Sequence, residues 1–216
     1  MNAPCIIAAA WTFWCFLHSF LICRSLTGFL SRHLGRHYVY YRFFYNLFSL
    51  SSAAGVLYLH LLLPRQQLWS WHGGWRLLQG GLLLYALFMF ATGLRCYDLG
   101  YFAGIKQIRD YRRGESSAGM AFTRKEILRF VRHPWYSGGL SFLVAFGGIS
   151  DVSLAAKLVL IAYLLIGAAL EEKKLLAELG EEYAVYRQEV PMLFPWRILG
   201  GKIRAKAPGR GGMERR

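Results

Sequence analysis

From Val152 to Leu170 the chain reads VSLAAKLVLIAYLLIGAAL, nineteen residues with one charge. As a helix, a run of this length crosses about 30 Å of hydrocarbon. In lipid every backbone N–H and C=O must find a partner within the protein, so a lone apolar run of this kind is dictated to be helical. Other apolar stretches precede it at Pro4–Cys23, Tyr38–Leu63 (stopped by Pro64), Trp75–Leu94 and Trp135–Ile149. The last is short, only about 22 Å as a helix. It either extends back through RKEILRFV or lies partly below the headgroups. GGISD then makes a tight turn into the final run, so these two form a helical hairpin. The expected fold is all-α: a polytopic membrane helical bundle of about five transmembrane helices, with a C-terminal helical hairpin and a cytoplasmic cofactor site.

Composition agrees with this class. The chain is 55% hydrophobic and its mean hydropathy is +0.29, too apolar for an ordinary soluble domain. Its net charge of +14 comes from 26 Lys and Arg against 12 Asp and Glu. In a soluble protein that balance would suggest nucleic acid. Here the cations flank apolar segments, so the lipid bilayer and its anionic headgroups are the expected partners, and no nucleic acid. Basic residues are sparse between the second and third runs (Arg65, Arg76) and between the fourth and fifth. They are dense after the third run (nine from Arg95 to Arg132) and after the fifth (ten). That alternation predicts a multi-pass protein with its N-terminus outside and its C-terminus cytoplasmic. The first run lacks a basic leader and is expected to be a retained span. The four cysteines, Cys5, Cys15, Cys23 and Cys96, have no metal or disulfide spacing and are expected to act as small apolar residues. Residues 1–97 are expected to form an N-terminal three-span region on the acceptor side. Residues 98–196 would comprise an interfacial segment, the hairpin and the cofactor region, and residues 197–216 a basic disordered tail.

Two polar stretches fall at the cytoplasmic ends of the last two runs. The first, RHPWYSGGL (Arg132–Leu140), puts Pro134 at the first turn of a helix, where its missing N–H costs nothing. The free N–H groups of that turn, with Arg132 beside them, suit an anion; equally, Arg132, Trp135 and Tyr136 suit an interfacial anchor. Gly138 and Gly139 admit the backbone of a ligand or of another helix. The second stretch begins at Glu171 and Glu172 and continues to EEYAVYRQEVPMLFPW. Adjacent helical residues point about 100° apart, so one glutamate faces the bundle and the other meets Lys174 or water. Tyr183 and Tyr186 share a face. A carboxylate among tyrosine rings suits a cation. Together the two stretches describe a ligand with an anionic and a cationic end.

The ordered set RHPWYSG, EEKKLL, then GEEYAVYRQEVPMLFP resembles the isoprenylcysteine carboxyl methyltransferase family, integral-membrane enzymes that use S-adenosylmethionine. The resemblance covers roughly the last third of the chain. By position it implies cofactor binding by His133, Pro134, Tyr136, Gly138, Glu171, Glu172, Tyr183 and Tyr186, and a catalytic or acceptor-orienting role for Arg132. The front differs: WCFLHS (Trp14–Ser19), DLGYFAGIKQ (Asp98–Gln107) and EVPMLFPW are more similar to the methanethiol S-methyltransferase and NnrU-type branch, in which an Asp-Leu-x-Gly-x-x-Gln element follows the third span. Here extra residues separate Asp98 from Gly104. The implied function is methyl transfer to a small thiol or to a lipophilic, prenylcysteine-like carboxylate.

His18 lies at membrane depth beside Ser19, a functional position by default or a packing hydrogen bond; as a base it would accept the proton of a thiol. Arg42, Tyr45 and Asn46 share one helix face and form either the wall of an acceptor cavity or a polar packing seam. His33, His37, His60 and His72 have no ligand spacing, and no metal site is expected. Two other classes compete. NADPH-dependent sterol-type membrane reductases share a related ending, but carry Asn at the place of Trp135 and DExxC at the place of EEKKLL. A non-catalytic nurim-like membrane protein would need no intact binding motif.

Overall fold

The computed structural model describes residues 2–115 and 124–199, and these are helical almost throughout. The long helices are α1 (Ala3–Ile22), α3 (Tyr41–Leu62), α4 (Trp75–Cys96) and α8 (Asp151–Leu179). Shorter ones are α2 (Arg24–Leu34), α5 (Leu99–Ala103), α6 (Ile105–Arg112), α7 (Pro134–Ala145), α9 (Glu181–Glu189) and α10 (Trp196–Leu199). Single 3-10 segments cover Gly35–Tyr40 and Glu126–Arg129.

Three of these helices, α1, α4 and α8, are long and apolar enough to cross a membrane. The chain is thus an all-α protein with the helices of a membrane protein. The short fourth run is α7, twelve residues beginning at Pro134. It does not extend backward: Glu126–Arg129 is a separate 3-10 turn, and His133 has the non-helical backbone of an N-cap. By contrast, α8 runs 29 residues, about 43 Å. It therefore carries Glu171 and Glu172 in mid-helix, away from the unfavourable negative end of a dipole.

Packing pairs α1 with α8 and α4 with α7. Ile7 and Trp11 of α1 bury against Val152 and Ala156 of α8. In α7, Gly138 lies so close to α4 that a Cβ there would sit 3.1 Å from the Ala86 carbonyl and from Met89 Cβ. Small residues at such crossings let backbones approach, which is how helices adhere where lipid removes the hydrophobic driving force. Gly138, implied by resemblance to touch cofactor, is taken up by this helix contact. Gly93 does the same for the Trp135 ring.

The turn before α8 holds a feature absent from the sequence expectations. Strand β1 (Gln67–Trp69) pairs antiparallel with β2 (Ile149–Ser150), joining the two loops at that end of the bundle. Ser150 and Ser153 then cap α8 reciprocally, and the Asp151 carboxylate accepts the Gln66 N–H at 2.9 Å. All four cysteines are free. Of the expected tail, residues 200–216 lie outside the described residues.

Candidate functional site

The two polar stretches meet. Residues Arg132 and His133 run beside Pro191 and Met192, donating backbone N–H groups to their carbonyls at 3.0 and 3.1 Å. That pairing brings the start of α7 against the end of α9, with α8 behind both.

Glu172 is the hub. Its side chain is only 7% exposed. Arg132 grips it with two prongs, Nε to Oε1 at 2.9 Å and Nη2 to Oε2 at 2.8 Å. His133 Nε2 donates to Oε1 at 2.8 Å, Tyr183 donates its hydroxyl at 2.6 Å, and Arg187 Nε lies 3.0 Å from Oε2. A carboxylate has about four lone-pair sites; here they are filled from within the protein. Arg132 is as fully engaged: Nη1 donates to the Arg187 carbonyl at 3.0 Å and to that of Val190. Burial, and then the hydrogen bond to Glu172, push the Tyr183 phenol upward, so it stays protonated and donates. Burial likewise raises Tyr186, whose hydroxyl donates to the Leu128 carbonyl at 2.6 Å. Both tyrosines are buried and anchor α9.

Glu171 differs. Its side chain is 42% exposed, and its Oε2 lies 3.8 Å from His133 Nδ1. Its charge acts on the Tyr97 and Tyr136 hydroxyls. Burial first, and this charge second, push the Tyr97 phenol up. Trp135 closes the same neighbourhood, its ring 4.7 Å from Tyr97 and 5.5 Å from Phe102. The Trp135 indole N–H is buried without a hydrogen-bond partner among the described residues. An orphaned buried donor is costly. This one lies against Gly93 of α4, where a Cβ would press on the indole nitrogen.

A second polar group lies deeper. His18 stacks on Trp14 at 4.8 Å, its Nδ1 2.8 Å from the Tyr45 hydroxyl and 3.2 Å from Ser49 Oγ. Trp14 Nε1 donates to Ser52 Oγ at 3.1 Å, and Ser19 Oγ donates to Tyr163 on α8 at 3.2 Å. Tyr163 and Glu171 are eight residues apart, about 12 Å along α8.

Of the expected α3 face, only Tyr45 joins this group. Arg42 lies over the Tyr101 ring at 4.7 Å, and Asn46 donates to the Phe102 carbonyl at 2.9 Å. Both hold the Asp98–Gln107 element. There Asp98 caps α5 by accepting the Tyr101 N–H, and Gln107 reaches back to the Tyr101 carbonyl. Gly104 turns between α5 and α6 at φ +84°, where a Cβ would be 2.6 Å from the Phe43 nitrogen. The element is compact despite its extra residues.

Sequence reasoning missed Arg187, Tyr97, Tyr163 and Ser49. Spacing held a signal for two of them: Arg187 is i+4 from Tyr183, and Ser49 is i+4 from Tyr45.

No family model and no solved structure matches the chain. Curated methanethiol S-methyltransferases do. That of a Pseudomonas species is 39% identical over 137 residues, 60% of this chain and 50% of the relative. The Mycobacterium tuberculosis protein is 35% identical over 125 residues, 54% of this chain and 50% of the relative. The Crocosphaera subtropica protein is 31% identical over 143 residues, 59% of this chain and 54% of the relative. The chain spans about half the length of these curated relatives. Over that shared stretch it is similar to the methanethiol S-methyltransferases, the branch its own motifs resemble.

Proposed function

We propose that the chain is an integral-membrane methyltransferase that transfers a methyl group from S-adenosylmethionine to a small thiol. The reaction class and the thiol rest on the names of the curated relatives. The observation that carries the site is the division of labour between adjacent glutamates: Glu172 is saturated from within, while Glu171 is half-exposed and held only by the Tyr136 hydroxyl and a longer contact with His133.

The residues present fit this donor. S-adenosylmethionine carries a sulfonium and an ammonium, and Glu171 offers a half-exposed carboxylate among the Tyr97, Tyr136 and Trp135 rings. Such surroundings favour a cation by charge and by ring quadrupole. When bound, the donor supplies a methyl group on a leaving sulfur that needs no further activation. The chain's own residues do the rest. Arg132, His133, Tyr183 and Arg187, through Glu172, lock α7, α8 and α9 in one geometry, so that position and orientation are fixed before the reactants meet. Pro134 and Tyr186 serve the same frame. Arg132 thereby acts as a positioning residue.

A thiol must lose its proton to become nucleophilic. His18, with Tyr45 and Ser49 around it, is the base-competent group on the lipid side of the site, and a small thiol partitions into lipid. Arg42 and Asn46 support this side by holding α5. In the same reading α3 and α7 complete five spans, the N-terminus faces out, and the C-terminus and Glu171 face the cytoplasm. The alternation of basic residues supports that orientation.

The test is methyl transfer by the purified full-length chain in detergent, using methyl-labelled S-adenosylmethionine and methanethiol. Labelled dimethyl sulfide is the expected product. Binding of NADPH in place of S-adenosylmethionine, or donor binding without transfer to any thiol, would overturn the proposal.

A further inference from the structure

Away from both polar groups, α6 faces α3 across a cavity of about 430 Å³ lined by Phe43, Ile105, Ile108, Arg109, Arg112 and Arg113. On α6 these residues form one face: Ile105, Ile108, Arg109 and Arg112 recur at i, i+3, i+4 and i+7. The lining is divided chemically. Phe43 and the two isoleucines make an apolar wall, and the three arginines make a cationic rim. Phe43 and Ile105 are exposed, as is the neighbouring Phe44.

Charge neutralisation at the rim is incomplete. Asp110 lies 3.8 Å from Arg109 Nε, and its own side chain is buried. Lys106, one turn earlier, is paired with Asp98 at 2.9 Å. Arg112 and Arg113 have no ion-pair partner among the described residues. Three cations at one rim repel one another unless an anion sits between them. An apolar wall directly below that rim excludes a purely hydrophilic anion as the best fit.

We propose that this cavity binds one anionic phospholipid. Its phosphate sits among Arg109, Arg112 and Arg113, and the first part of an acyl chain lies along Phe43, Ile105 and Ile108. Guanidinium forks match phosphate oxygens, and the helices that can cross a membrane place the chain where such a lipid is at hand. The lipid would brace α6 against α3, the same contact that Arg42, Asn46 and Gly104 make from the other end of the element. The proposal does not depend on the chemistry proposed above.

Purified full-length protein is equilibrated with vesicles of equal phosphatidylglycerol and phosphatidylcholine, re-isolated, and its retained lipid counted by native mass spectrometry. Phosphatidylglycerol should be retained preferentially. Arg112→Gln with Arg113→Gln should reduce that retention about 25-fold, about fivefold for each cation near a headgroup. Arg32→Gln with Arg36→Gln, two arginines outside the cavity, should leave it unchanged. Equal retention of the two lipids by the parent would overturn the proposal. So would equal losses from the two double variants, which would mean diffuse surface attraction. Retention of neither lipid would also overturn it.

Discussion

The two polar groups of this bundle are built from opposite materials. Around Glu172 the bonds are charge-assisted, bidentate and buried, and they tie together residues 40 positions apart. Around His18 they are neutral: an imidazole, hydroxyls and an indole, spread over α1, α3 and α8. A charge without a partner is intolerable at membrane depth, whereas a hydroxyl or imidazole is not. The first group therefore acts as a rigid frame at the end of the bundle, and the second as an adaptable seam within it.

The contrast predicts unequal costs. The largest effect is expected for Glu172→Gln, which leaves Arg132 buried without its counter-charge. Breaking one partner of a buried pair costs about 3–5 kcal/mol, so the variant should lose most of its thermal stability in a melting experiment. Survival of the fold with a near-parental Tm would mean the frame is not what holds α7, α8 and α9 together. Next comes Gly138→Ala. Its Cβ would press on the Ala86 carbonyl, and overpacking of this kind costs about 1–3 kcal/mol, readable as a lowered unfolding midpoint. In the seam, Ser49→Ala removes one neutral bond to His18. Intramembrane hydrogen bonds average about 0.6 kcal/mol, so stability should barely change; a loss comparable to that of Glu172→Gln would erase the distinction between frame and seam.

The smallest effect concerns Asp98, an exposed cap. Its hydrogen bond from Lys106 holds its carboxyl below the ordinary value of 3.8. A depressed folded-state pKa means the increment is fully present above that ordinary value and is lost as pH falls through the folded one. Asp98→Asn should therefore remove a small increment at neutral pH and flatten the acid limb of a stability profile below about pH 4, where parent and variant converge.

How much of this could be read from the chain depended on the kind of signal. Apolar length marked α1, α4 and α8, because lipid leaves a helix no alternative. Pro134 marked the start of α7 for an equally local reason. The Glu171–Glu172 pair was legible as a division of roles, since neighbours on a helix diverge by about 100°, but not as an assignment. Which glutamate turns inward depends on where Arg132 arrives, and that is set by the pairing of Arg132 and His133 with Pro191 and Met192 across 58 or more residues. The contact of β1 with β2 is similar: three residues against two offer no periodicity to detect. Gly138 could be read as room for something, and only the path of α4 shows what fills it.

The central claim is that Glu171, and not Glu172, faces the donor's positive charge. It is tested by titrating S-adenosylmethionine into the purified Glu171→Gln variant by calorimetry, with a melting curve as the control for folding. Removing a half-exposed carboxylate from a cation costs about 1.5–2 kcal/mol, which predicts an affinity about 10- to 30-fold weaker in a protein that melts like the parent. Parental affinity in the folded variant would contradict the account.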